Sequence, residues 1–86
     1  MKINDLTLDE ATREWLERNP IRLWRLGLKK PLSQAALASA LNLHFVTVSQ
    51  WELGKRRPFG PFAQRLEMAT KIDADTFWEW WKQRPR

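Results

Sequence analysis

The chain contains no cysteine, so neither a disulfide nor a thiolate metal cage can hold it together. Its one histidine, His44, leaves it short of ligands for an all-protein zinc site, and no metal or cofactor is expected. Catalysis lacks material as well. Without a cysteine, paired carboxylates or a glycine-rich phosphate cradle, an enzyme is the least supported class. No apolar run approaches the length of a membrane span, and the polar, acidic start does not read as a signal peptide. A soluble, cytoplasmic protein without membrane contact is therefore expected. Strand signals are missing too, because every segment has helical period. What remains for stability is helix packing, in a chain of 86 residues that sits near the lower limit for a single core. Six tryptophans and four phenylalanines supply that core with large apolar areas from few residues.

The distribution of charge says more than the net +5. Residues 1–19 carry three cations against five acidic residues. Residues 20–65 carry eight cations, Arg22, Arg25, Lys29, Lys30, Lys55, Arg56, Arg57 and Arg65, against Glu52 alone, and residues 66–86 balance. The positive excess thus lies in the middle of the chain, where phosphate is a natural counter-charge.

Five to six short helices follow from periodicity and punctuation. An N-terminal helix over 7–18 opens with Thr7 and Glu10 in capping-box spacing and places Leu8, Ala11, Trp15 and Leu16 on one face. Asn19 and Pro20 start a second helix, which stops at Gly27, a residue free to take the left-handed conformation. Ser33 caps a third, with Leu37, Ala38 and Leu41 inward, and Asn42 tolerates the left-handed turn that ends it. His44 or a neighbour opens a fourth helix, held inward by Val48 and Trp51 and closed by Gly54. A basic loop, Lys55 to Pro58, leads to a fifth helix from Pro61 with Phe62, Leu66 and Ala69 inward. A last helix over 75–83 carries Phe77, Trp78, Trp80 and Trp81 over nearly half its circumference. Phe77 and Trp81 are assigned to the core. Trp78 and Trp80 are left either as an exposed patch, of the kind that marks a dimer interface, or as rings covered by the N-terminal helix.

Two short helices joined by a tight turn over 33–52, the second followed by a basic loop, form a helix-turn-helix. Residues 32–58, "LSQAALASALNLHFVTVSQWELGKRRP", resemble the Cro and repressor type, also called the xenobiotic-response-element type. Ser33-Gln34, Leu37-Ala38, the turn at Asn42, Val48-Ser49, Glu52, Gly54 and the Lys-Arg-Arg-Pro loop carry the resemblance. It implies one lambda-repressor-like, all-α DNA-binding domain spanning 1–86, and double-stranded DNA as the partner. By position, it implies that Gln34 bonds a phosphate and braces the recognition helix, and that His44 and Thr47 touch phosphates. Phe45, Val46, Ser49 and Gln50 form the base-reading face, and Lys55, Arg56 and Arg57 meet the DNA backbone. Glu52 matches an acidic residue that pairs with an arginine of the first core helix, either Arg22 or Arg25. Asn42 in place of glycine and Leu53 in place of asparagine depart from the pattern.

Two functions are open at this point. One is a sequence-specific transcriptional regulator, a small phage- or plasmid-type repressor or autoregulator acting as a homodimer on a pseudo-palindromic operator. The other is an antitoxin or similar partner-binding module that uses the aromatic helix to hold a protein and DNA for autoregulation.

Overall fold

The computed structural model describes residues 9–85. Among them are six helices and no strand: α1 (Glu10–Glu17), α2 (Pro20–Leu26), α3 (Gln34–Ala40), α4 (Phe45–Glu52), α5 (Gly60–Thr70) and α6 (Ala74–Trp81). The fold class is all-α. Helices this short are marginal alone, so caps and tertiary burial must hold them.

Five of the six helices begin on a side-chain cap. Asp9, Asn19, Ser33, His44 and Asp73 each accept a backbone N–H from the first turn that follows. The backbone N–H of Thr12 foremost, and then its side chain, holds the Asp9 carboxyl below its ordinary pKa. The Thr76 side chain, and then its N–H, does the same for Asp73. Thr7 and Leu8, expected in the first turn of the N-terminal helix, lie outside the described residues; the cap of α1 is Asp9. Helix α2 ends at Gly27 as expected, but Gly27 has φ −82°, so it is right-handed, and its N–H bonds the Leu23 carbonyl. The left-handed positions are instead Asn42 (φ 57°) between α3 and α4, Gly54 (φ 69°) after α4, Gly60 (φ 54°) at the start of α5 and Lys71 (φ 66°) after it. Lys71 is stabilised there by the buried Thr70 hydroxyl, which donates to the Leu66 carbonyl and accepts from Ile72 N–H.

The core joins Trp15, Ile21, Leu37, Ala38, Leu41, Val48, Trp51, Leu66, Ile72, Phe77 and Trp80. Of the two alternatives for Trp80, a dimer-interface patch or cover by the N-terminal helix, the second holds: only 5 % of the residue is accessible. Its indole lies parallel to that of Trp15, with centroids 4.0 Å apart. Each indole N–H then donates to the other residue's carbonyl, at 2.8 Å from Trp15 and 2.7 Å from Trp80. This reciprocal clasp fastens α1 to α6 across 65 residues of chain and satisfies both polar ends of the buried rings. Gly54 lies directly beneath it, and a Cβ there would run into the Trp15 ring. Trp81, expected in the core beside Phe77, is only half-buried.

Helix α5 also differs from expectation. Leu66 and Thr70 are its buried residues, whereas Phe62 and Ala69 are exposed. Phe62 packs edge-on against Phe59 on the surface, beneath the guanidinium of Arg65.

Asn19 carries more than a cap. It is fully buried; its Oδ1 accepts from Ile21 and Arg22 N–H, and its amide donates to the Trp51 carbonyl at 3.0 Å. One side chain thus starts α2 and ties it to the last turn of α4. Asn19→Ala is expected to cost about 2 kcal/mol, the cap plus the lost bond to the Trp51 carbonyl, which keeps the Gly54 N–H at 3.3 Å, with urea unfolding as the measurement. Asn19→Asp should recover the cap but not the bond to Trp51.

Candidate nucleic-acid interface

Helices α3 and α4 pack on each other through Leu37, Ala38, Leu41, Val48 and Trp51, all buried. The turn between them is short because Asn42 reverses the chain in the left-handed region and Leu43 N–H bonds back to the Ala38 carbonyl at 2.8 Å. His44 then opens α4. Its Nδ1 accepts from Val46 N–H at 3.2 Å, so in this geometry the ring's proton sits on Nε2. That leaves a donor on the opposite edge of an exposed ring, suited to a phosphate oxygen.

Burial divides α4 into two sides. Val48, Trp51 and Glu52 face the core, while Phe45 is 51 % and Val46 42 % exposed. Ser49 and Gln50 follow one turn behind these two, at i+4 spacing, and are half-buried, as is Thr47. The four residues expected to read bases therefore share one face, open at Phe45 and Val46 and partly covered at Ser49 and Gln50. Phe45 also rests on the His44 ring, with centroids 4.9 Å apart.

The inner side of α4 is held by charge as well as packing. Arg25 of α2 makes a two-pronged contact with Glu52, Nε to Oε2 at 2.8 Å and Nη2 to Oε1 at 2.9 Å. Both residues are buried, and the bonds to Glu52 raise the Arg25 pKa further above its already high ordinary value. Of the two arginines open from the sequence, Arg25 is thus the partner, and Arg22, three residues earlier, points to solvent. Gln34 adds a third bond, its amide donating to Glu52 Oε1 at 3.2 Å. Gln34 of α3 is thereby joined to the last residue of α4. Arg25 also closes the connector between α2 and α3, donating to the Leu32 carbonyl at 2.8 Å while its own carbonyl accepts from Leu32 N–H. Lys29 and Lys30 stand exposed on that connector.

The basic loop is fastened to the reading helix. Lys55 and Arg56 N–H both bond the Gln50 carbonyl, at 2.9 and 3.3 Å, so the loop's cations start from the end of the helix that carries Gln50. Lys55, Arg56 and Arg57 are exposed. Arg57 differs from its neighbours in lying over the Trp78 ring, 4.6 Å from its centroid. The expected aromatic patch is therefore reduced: Trp80 is core, and Trp78, 43 % exposed, is covered on one side by Arg57. The sequence carries no signal for the Asn19 tie to the Trp51 carbonyl or the Arg57 contact with Trp78, because each joins groups distant along the chain.

A capped helix with an uncovered outer face, braced from behind and flanked by a basic loop, defines a helix-turn-helix DNA-binding protein. A family model described as helix-turn-helix matches residues 21–77, and the chain belongs to that family, of the Cro and xenobiotic-response-element type. Comparison with curated proteins and with solved structures found no match. Membership makes the protein a DNA-binding transcriptional regulator whose partner is double-stranded DNA, in a family that is typically non-enzymatic. Among the described residues, no helix is long and apolar enough to cross a membrane, and no cluster of His, Cys, Asp or Glu could hold a metal ion.

Proposed function

We propose that the protein is a sequence-specific repressor or autoregulator of the small phage or plasmid type, which inserts α4 in the major groove of its operator. The observation that carries this reading is the outer face of α4, where Phe45 and Val46 are left in water on a helix whose inner side is fully packed. An apolar side chain in the major groove packs on the C5-methyl of thymine, and glutamine bonds both major-groove groups of adenine. The site is thus expected to carry thymines beneath Phe45 and Val46 and adenine beneath Gln50. His44, Thr47 and the Lys55–Arg57 loop supply phosphate contacts, which give affinity and register but no sequence information.

Selection of bound duplexes from a random pool tests this directly. A recovered consensus with thymine and adenine steps supports the reading, and palindromy in it would show two copies bound. Recovery of no consensus would defeat sequence-specific readout. Once a site is known, Gln50→Ala is expected to weaken specific binding by about 1–3 kcal/mol while leaving non-specific binding nearly unchanged. Equal losses on both would remove Gln50 from base reading.

A further inference from the structure

Trp78 is a candidate dimer contact from the sequence, and its surroundings suggest another role. Arg57 lies 4.6 Å from the Trp78 centroid and 5.9 Å from that of Trp81, three residues on along the same face of α6. Arg84 lies 5.0 Å from the Trp81 centroid, so two guanidinium groups share one aromatic platform. Among the described residues, the ion pairs are Arg25–Glu52 and Lys82–Glu79, and no carboxylate neutralises Arg57. Its charge therefore lies over ring faces, with no carboxylate of the described residues in ion-pair contact.

That combination has a physical consequence. A guanidinium over an indole is attracted to the ring face without using up its N–H donors on an acceptor, which leaves them for a phosphate. An arginine on an open loop must give up rotamer freedom when it binds DNA. One already resting on two indoles has lost much of that freedom beforehand. The loop that carries Arg57 is itself tied to the reading helix through the two bonds to the Gln50 carbonyl.

We infer that Trp78, with Trp81 behind it, is a positioning residue for DNA binding: it holds Arg57 ready to contact a phosphate beside the recognition helix. This rests on the DNA-binding reading above and extends the machinery beyond the helix-turn-helix to the C-terminal helix. Trp78 does not touch DNA; it acts through Arg57.

The test is a double-mutant cycle of Trp78→Ala and Arg57→Ala in the full chain, reading duplex affinity across a salt series. Trp78→Ala should weaken binding about three- to tenfold, to specific and non-specific duplexes alike. It should also lower the salt slope by about one, the value of a single phosphate contact. Adding Arg57→Ala to it should change little, and Trp78→Phe should retain most of the affinity. A DNA-free measure accompanies these: the Arg57 side-chain protons should show upfield ring-current shifts that vanish in Trp78→Ala. Losses that add independently, or a salt slope unchanged by Trp78→Ala, would overturn the inference. So would sedimentation showing that Trp78→Ala dissociates an oligomer, since Trp78 would then be a subunit contact. Wild-type protein that retained no duplex would sink the DNA reading and this inference with it, whereas wild-type binding with additive losses would sink the inference alone.

Discussion

Glu52→Ala is expected to destabilise the protein by about 3–5 kcal/mol, a large share of the roughly 5–15 kcal/mol available to a domain. Glu52 accepts both prongs of the Arg25 guanidinium and the Gln34 amide. Removing the carboxylate leaves a buried cation with no counter-charge, and arginine does not lose its proton to escape. Glu52→Gln should fall between wild type and alanine, because it keeps the volume and some hydrogen bonding while leaving the charge unpaired. The distinguishing control is the double replacement Arg25→Met/Glu52→Leu, which removes both charges and fills the space. It should cost no more than about 1–2 kcal/mol. Urea unfolding of the variants checks the series. If the double variant is as unstable as Glu52→Ala, the loss comes from packing and the account of a stranded charge is wrong.

Trp80→Ala should cost a comparable amount, about 3–5 kcal/mol, by leaving a cavity against Trp15 and Phe77. It also removes the 2.7 Å bond from the Trp80 indole N–H to the Trp15 carbonyl, which keeps the Arg18 N–H at 3.1 Å. Because the clasp is the reciprocal tie between α1 and α6, amide exchange in α1 should rise more than in α3 or α4. Trp80→Phe separates the contributions: it retains most of the stacking area and loses the N–H, for an expected cost of about 1–3 kcal/mol. Unfolding midpoints and exchange rates provide the check. A Trp80→Ala protein of wild-type stability that sediments as a smaller species would return Trp80 to the surface, against the burial described above.

Local chemistry made much of this molecule legible. Asn19, Ser33 and His44 are helix starts because their side chains can accept an orphan N–H, and Asn42 is a turn because asparagine tolerates positive φ. Val48 and Trp51 are inward because period 3.6 places them together, which leaves Phe45, Val46, Ser49 and Gln50 on the other side. A residue's type does not by itself fix its environment. Phe62 is apolar yet sits on the rim of α5, and Gly27 is free to be left-handed yet stays right-handed, because the helix end there is satisfied by its bond to Leu23.

The aromatic helix shows the boundary most clearly. Phe77, Trp78, Trp80 and Trp81 are so alike in hydrophobicity that their periodicity leaves a broad stripe, without saying which edge is covered. Only the position of α1 resolves it: Trp15 stacks on Trp80 and draws that ring into the core, and Arg57, arriving from a loop some twenty residues earlier, lies on Trp78. The choice of Arg25 over Arg22 was settled in the same way, by the approach of α2 to the end of α4. Caps, turns and helical faces depend on residues within a turn or two of one another, so they can be read along the chain. Which face is covered, and which charge meets which ring or carboxylate, depends on contacts between distant segments and exists only once the helices have packed.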